Sequence, residues 1–302
     1  MKLPPVPGIE SSGGTVHWMQ RGPVRLRAAH WPGGPRTCLL LHGRTEFMEK
    51  YLDTVVALQD RGFAVWSLDW RGQGRSSRLL GDPVPNHVHS FDDFDADLQA
   101  LLALIGPGPL VVMGQSMGGH IGLRAVAACP GRFTHAVLVS PMIDFLRPRG
   151  ASLPLLRIAA GLACAVPGLA ARTGPGTRRL PDPHRPFDGN PLTSSAERFA
   201  ADLLWLRQDG LAVGGATWGW LRAATRSIAA MRRPGFVRRV TVPVLMVLAG
   251  DERIVDNGAA QRLAARLPDA RVLVIAGARH ELLRERDEHL AQLWAAFDAS
   301  VG

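Results

Sequence analysis

Ser116 stands in Gly114-Gln115-Ser116-Met117-Gly118, a spacing that suits a serine raised on a sharp turn between a strand and a helix. The run before it, Pro109-Leu110-Val111-Val112-Met113, is short, apolar and partly β-branched, the pattern of a buried parallel strand. After it, Gly119 to Ala128 carries apolar residues at helical spacing. A turn this tight leaves no room for a Cβ two positions to either side of the serine, and Gly114 and Gly118 meet that demand. Glycine and serine also crowd together in ordinary turns, so the flanking strand and helix are what make this a nucleophile elbow.

A serine hydroxyl is a weak nucleophile at neutral pH and needs a base within hydrogen-bond reach, itself oriented by a third group. On an elbow of this kind the partners follow in the order serine, acid, histidine. Of the ten histidines, His280 is the best placed, in Gly277-Ala278-Arg279-His280-Glu281 between the last strand pattern and the closing helix. The acid is expected just beyond the strand ending at Leu248, in Ala249-Gly250-Asp251-Glu252-Arg253-Ile254-Val255-Asp256. Asp251 and Glu252 both qualify by position, with Asp256 a third candidate. Neighbouring side chains leave a turn in different directions, so only one of the first two can face His280.

Acyl transfer through Ser116 also requires donors aimed at the tetrahedral oxyanion, each worth roughly 2.7 to 4 kcal/mol of transition-state stabilisation. One is expected to be the backbone N–H of Met117, directly after the nucleophile. The second is expected from Leu41-His42-Gly43-Arg44-Thr45-Glu46, which follows a strand, with the N–H of Arg44 as the candidate.

The elements that must position these groups are legible around them. An alternating pattern from Thr15 to Trp31, broken at Arg21-Gly22-Pro23, predicts an antiparallel hairpin. From there strands at 37–41, 64–68, 109–113 and 136–140 alternate with helices at 51–61, 91–105 and 119–128. That rhythm implies a mostly parallel sheet with helices on both faces. It stops at Pro141 and resumes at Val242 with a strand to Leu248, a helix at 258–267, a strand at 271–275 and a helix at 285–297. Between them, helical stretches are expected near 153–171, 195–208 and 217–232. The chain thus divides into a sheet domain, 1–140 and 240–302, and an inserted helical cap, 141–239.

The formal charge of +9 lies wholly in the cap, where 15 arginines stand against 6 acids between Pro141 and Arg239. Such asymmetry suits either an anionic partner or a solvated face in a composition with 33 arginines and two lysines. Ala151 to Ala171 is the longest apolar run, but Pro154, Arg157 and Pro167 interrupt it and argue against a membrane span. The amino terminus lacks the apolar core of a secretory signal. Cys38, Cys129 and Cys164 are odd in number and isolated, and read as reduced core residues, so a cytoplasmic protein is expected.

Other motifs carry less. His87-Val88-His89 lacks a second cluster to complete a metal site and reads as a loop. Gly33-Gly34 and Gly72-Gln73-Gly74 lack the context of phosphate loops. Trp205, Trp218 and Trp220 are expected to fill a core, and no nucleic-acid recognition fold accompanies the arginines.

His42-Gly43-x-x-Glu46, Asp69-Trp70-Arg71-Gly72-Gln73-Gly74-Arg75-Ser76, the elbow with Gly119, and His280-Glu281-Leu282 together resemble the α/β-hydrolase superfamily. Within it they look most like the branch of bacterial lysophospholipases and monoacylglycerol lipases, over about residues 15 to 299. The resemblance implies an α/β-hydrolase fold with an inserted cap. It also implies a triad acid followed by Arg, two apolar residues and Asp, which falls on Glu252-Arg253-Ile254-Val255-Asp256 and selects Glu252. Most relatives have Asp there, so the longer Glu252 requires its loop to retreat by about one methylene. The resemblance places the oxyanion loop at His42 and Arg44 and implies neither cofactor nor metal.

The expectation is a serine hydrolase of lipid-like carboxylic esters, lysophospholipid or monoacylglycerol, acting through an acyl-enzyme. Peripheral contact of the basic cap with an anionic membrane surface, at the inner membrane face, goes with it. A short-chain carboxylesterase, an aminopeptidase and a non-catalytic ligand-binding protein are the alternatives. An aminopeptidase needs acids to hold a free ammonium, and a cap this basic suits it poorly.

Overall fold

Six strands run parallel in one eight-stranded sheet, and the candidate site residues all lie just past the carboxyl ends of four of them. The computed structural model describes residues 8–146, 152–175, 182–208 and 210–302. In chain order the elements are β1 (Thr15–Arg21), β2 (Val24–Trp31), β3 (Arg36–Leu41), α1 (Leu52–Gln59), β4 (Phe63–Leu68), α2 (Phe91–Ile105), β5 (Leu110–Gln115), α3 (Met117–Ala128) and β6 (Phe133–Val139). Then come α4 (Leu153–Ala165), α5 (Ala196–Leu206), α6 (Trp218–Met231) and α7 (Pro234–Val237), followed by β7 (Val244–Ala249), α8 (Asn257–Ala264), β8 (Ala270–Ile275) and α9 (Asp287–Val301). The strand order is β1-β2-β4-β3-β5-β6-β7-β8, with β2 antiparallel to both its neighbours.

The central strands are apolar on both faces because both faces are covered: every residue of β5 and of β7 is buried. One core layer packs α2, α3 and α8, together with α6, against the sheet. The other packs α1 and α9 on the opposite face. The edge strand β8 exposes Val272 and Val274, which its apolar sequence does not foretell.

Helix starts follow their caps. Ser90 and Asp93 form a capping box that sets the start of α2 at the expected residue. Ser195, Thr217 and Asp256 accept first-turn N–H groups at the starts of α5, α6 and α8.

Several expectations need correcting. Pro154 does not break the apolar run but sits in the first turn of α4, where its missing N–H costs nothing. The break comes later, where α4 ends at Ala165 and a short 3-10 turn, Leu169–Ala171, follows Pro167. Only Cys38 is a core cysteine; Cys129 and Cys164 are half-buried, and all three are free. Trp205 and Trp220 are buried, whereas Trp218 is half-buried. The amino-terminal segment up to Pro7, Ala151, and the part of the basic excess on Arg147, Arg149, Arg178 and Arg179 lie outside the described residues. No helix among the described residues is long and apolar enough to cross a membrane.

Candidate active site

Ser116 occupies a backbone conformation that side chains rarely adopt, φ 53° and ψ −113°, between the last residue of β5 and the first of α3. Its glycine neighbours are dictated by contact. A Cβ on Gly114 would fall 2.5 Å from the carbonyl carbon of Gly118, and one on Gly118 would fall 2.1 Å from the Leu41 carbonyl oxygen. The elbow is pinned further by the Ser116 N–H donating to Val139 at 2.9 Å and by the Met142 and His120 N–H groups donating to the Ser116 carbonyl.

His280 follows β8, and its Nε2 lies 3.0 Å from Ser116 Oγ. Its Nδ1 lies 2.8 Å from Glu252 Oε2. The Nδ1–H tautomer satisfies both contacts, because Nε2 is then free to accept the serine proton. Gln115, which the sequence reading passed over, donates through its side-chain N–H to the His280 carbonyl at 2.8 Å and ties His280 to the strand that leads into Ser116.

Glu252 follows β7 as a half-buried residue whose side chain is only 3% exposed, and its other oxygen, Oε1, accepts the N–H groups of Ile254 at 2.7 Å and Val255 at 3.2 Å. Burial pushes this carboxyl up, but the hydrogen bond and charge of His280 and the two backbone N–H groups outweigh it and hold Glu252 below the usual carboxylate range. Asp251 turns outward to pair with Arg253 at 3.0 Å, and Asp256 caps α8. Of the three candidate acids, the structure brings Glu252 alone to His280.

The loop after β3 runs beside the elbow: a Cβ on Gly43 would stand 3.3 Å from the Ser116 Cβ. The Gly43 N–H donates to Glu46 at 2.5 Å, and the Thr45 N–H donates to the Gln73 side chain. Between them, the Arg44 N–H has no acceptor among the described residues, which leaves it available for a substrate oxygen. Met117 opens α3, so its N–H is one of the first-turn donors that no helical carbonyl can take.

The Asp69-to-Ser76 stretch turns out to brace this loop. Asp69 accepts the Met48 N–H at 3.0 Å, the Arg75 N–H at 2.8 Å and Arg27 Nε at 2.8 Å, and Trp70 Nε1 donates to the His42 carbonyl at 2.9 Å. Gly74, at φ 52°, is required because a Cβ there would fall 2.1 Å from the Asp69 carboxyl carbon. His42 itself is buried and pushed down by that burial.

Over Ser116 and His280 lies a cavity of about 250 Å³. Its apolar wall includes Phe47, Leu192, Leu206, Val213 and Ile254, and its polar wall includes Arg44, Glu46, Lys50, Arg185, Asp202 and Glu281. Lys50 Nζ sits at the centre of the acids, 2.7 Å from Glu281, 3.1 Å from Glu46 and 3.5 Å from Asp202. Burial drives Glu281 up to about 7, with Lys50 opposing and Glu46 and Asp202 adding to the rise. Sequence reading missed this cluster because its members come from separate elements.

His87 Nδ1 lies 2.8 Å from Thr217 Oγ1 at the start of α6. Burial pushes His87 down to about 4. Among the described residues no group of three His, Cys, Asp or Glu side chains is arranged to hold a metal ion.

A family model described as "Serine aminopeptidase, S33" (Hydrolase_4) matches residues 35–287. The chain is an α/β-hydrolase of this family. Among relatives, lysophospholipase L2 of Escherichia coli is 34% identical over 278 residues, covering 87% of this chain and 78% of that protein. The monoacylglycerol lipase of Mycolicibacterium smegmatis is 25% identical and covers 83% of each chain. A monoglyceride lipase from Saccharomyces cerevisiae, solved with a substrate analogue, superposes with a TM-score of 0.73 over 98% of this chain and 97% of that one, at 18% identity. That likeness places the fold among the α/β-hydrolases; its match covers the segment between β6 and β7 as well as the sheet.

Proposed function

We propose that this α/β-hydrolase is a serine hydrolase of lipid-like carboxylic esters, lysophospholipid or monoacylglycerol, with Ser116 as nucleophile, His280 as base and Glu252 as the acid that orients it. The observation carrying the reading is the unbroken relay Ser116 Oγ, His280, Glu252 at 3.0 and 2.8 Å, opening into a half-apolar cavity. His280 removes the Ser116 proton as Oγ attacks the acyl carbonyl, and the N–H groups of Met117 and Arg44 receive the oxyanion. His280 then protonates the departing glycerol oxygen. Water enters, loses its proton to His280 and releases the fatty acid from Ser116. The names of the sequence relatives, a lysophospholipase and a monoacylglycerol lipase, support the lipid part.

We read the segment 141–239 as a cap over this site. The cavity volume of about 250 Å³ falls below the roughly 300 to 1,000 Å³ of pockets that enclose a drug-sized ligand. A long-chain ester therefore needs the cap to move or the chain to project outward. The face of α4 suits such motion at a lipid surface. Leu155, Ile158 and Leu162, with Val166 just past the end of the helix, are all more than half exposed, and Arg157 of α4, Arg222 and Arg226 of α6, and Arg233 beyond α6 line an adjoining cleft without an acid among them. Peripheral contact with an anionic membrane is the finer part of this proposal.

A fluorophosphonate probe tests the chemistry: it should label wild type and not Ser116→Ala. Comparing micellar lysophospholipid and monoacylglycerol with a short soluble ester tests the substrate class. Lipid hydrolysis no faster than that of the short ester would leave a general carboxylesterase.

Aminopeptidase action is a second reading, favoured by the family description and by the acids Glu46, Asp202 and Glu281 on the cavity wall. Those acids are already answered by Lys50 and, for Asp202, by Arg284 at 2.8 Å, which leaves little negative charge for a substrate ammonium. Turnover of alanine or proline amides above that of the lipid esters would reverse this order.

A further inference from the structure

Most charged side chains on the cavity wall are answered within the fold, but two cations are not. Among the described residues, neither Arg44 nor Arg185 lies within ion-pair distance of a carboxylate, although both line the cavity that holds Ser116 and His280. Arg44 Nη1 and Arg185 Nε are buried and have no hydrogen-bond partner among the described residues. Each guanidinium rests instead against a ring: Arg44 Cζ is 5.2 Å from the Trp220 ring centre, and Arg185 Cζ is 5.1 Å from that of Phe199. The acid nearest Arg44 in sequence, Glu46, is occupied by the Gly43 N–H, Tyr51 Oη and Lys50.

A buried N–H without an acceptor carries a desolvation cost, and a charged one carries more. Burial accordingly pushes Arg44 down to about 10, with Glu46 only partly opposing it. An anion entering the cavity would relieve both groups. Guanidinium forks match the oxygen geometry of phosphate, and their weak hydration suits a partly buried site. Position agrees with chemistry: Arg44 and Arg185 line the same cavity as Ser116 and His280, and Arg44 follows Gly43, where a Cβ would stand 3.3 Å from the Ser116 Cβ. Glycerol holds a phosphate close to an acyl ester.

We propose that Arg44 and Arg185 form a subsite for the phosphate of a phospholipid head group, making the anionic lysophospholipid, rather than the neutral monoacylglycerol, the better substrate. The proposal rests on the lipid-ester reading above and adds to it a charge preference. It assigns Arg44 two parts, the backbone N–H toward the oxyanion and the side chain toward the head group, and the side chain can be altered while the N–H is kept.

The test uses the purified full chain with lysophosphatidylglycerol and monoacylglycerol of one acyl length in the same neutral detergent micelles. The readout is the ratio of the two kcat/KM values, which cancels any general damage. In Arg44→Met and in Arg185→Met the ratio should fall roughly 10- to 100-fold, the range of one charge-assisted hydrogen bond, mainly through KM of the lysophospholipid. A ratio unchanged in both variants overturns the subsite and leaves the lipid-ester reading intact.

Inorganic phosphate supplies a second arm that needs no variant. It should compete with a short p-nitrophenyl ester on wild type, and less well on either variant that folds. Failure of phosphate to compete counts against the subsite. Competition with an unchanged lipid ratio indicates a site for free phosphate and overturns the head-group assignment. If wild type hydrolyses the short ester but neither lipid, the reading above fails instead, and the head-group assignment with it.

Discussion

His280 Nε2 stands 3.0 Å from Ser116 Oγ, and this contact depends on a carboxylate one methylene longer than the usual aspartate, because Glu252 holds the far side of the ring at 2.8 Å while the N–H groups of Ile254 and Val255 hold its other oxygen. Both oxygens are thus engaged. Glu252→Gln should lower kcat on a short ester by about 10⁴-fold, since an amide favours the wrong histidine tautomer. Glu252→Asp should cost about 10²-fold, the penalty of a displacement near 1 Å in a catalytic group. Asp251→Asn, at a surface pair with Arg253, should stay within about twofold, because exposed pairs of this kind contribute little. Steady-state kinetics on folded variants check all three, and full activity in Glu252→Asp would show that the loop adapts.

The loop after β3, which we propose supplies the Arg44 N–H to the oxyanion, is held from a distance by Gln73, whose side-chain oxygen accepts the Thr45 N–H at a residue with φ 63°. Gln73→Leu leaves that N–H without an acceptor, at a cost of about 1 to 3 kcal/mol. The loop should then relax and misplace the Arg44 N–H. We expect kcat to fall about 10- to 100-fold with KM little changed, as for loss of an interaction made only in the transition state. A rise in KM alone would assign Gln73 to substrate binding instead.

The elbow was readable in the sequence because Gly114 and Gly118 are sterically compulsory, and the start of α2 because Ser90 and Asp93 satisfy its first turn locally. Interactions that close over long separations were not readable. Gln73 meets Thr45 across 28 residues, and Gln115 meets His280 across 165, with no local pattern to announce either pair. The Lys50 cluster fails for the same reason: Glu46, Asp202 and Glu281 come from three loops and helices, and each alone looks like a surface acid. Periodicity also cannot distinguish an apolar face turned inward from one turned outward, so the apolar run at 151–171 does not announce that Leu155, Ile158 and Leu162 of α4 are exposed.

Glu281 gives the molecule an unusual dependence on pH. Its carboxyl is pushed up to about 7 by burial, with Lys50 opposing and Glu46 and Asp202 adding to the rise. An acid with a raised folded pKa contributes stability fully below its unfolded value, and that contribution is lost as pH rises through about 7. Glu281→Gln cannot ionise and does not lose it. The Tm difference between variant and wild type should therefore move in the variant's favour between about pH 5 and about pH 8. A constant difference over that interval would mean that Glu281 is already ionised in the folded state at the lower pH.

The outward face of α4 offers the sharpest test of the membrane proposal. Leu155, Ile158 and Leu162 recur at helical spacing and are 60%, 57% and 68% exposed, beside the arginines of α4 and α6. Burying a side chain of this size gains about 1.5 to 3 kcal/mol, so even partial insertion of three of them outweighs the roughly 1 kcal/mol that each arginine adds near an anionic surface. Replacing all three by serine should weaken binding to vesicles containing phosphatidylglycerol by at least about 10²-fold. Arginine-to-glutamine changes at Arg157 and Arg226 should weaken it several-fold, and less so as salt is raised. Because α4 lies away from the lining of the Ser116 cavity, the triple variant should still hydrolyse a short soluble ester at close to the wild-type rate. Vesicle sedimentation and ester kinetics on the same preparation separate the two effects. Undiminished vesicle binding in the triple variant would remove α4 as the docking face.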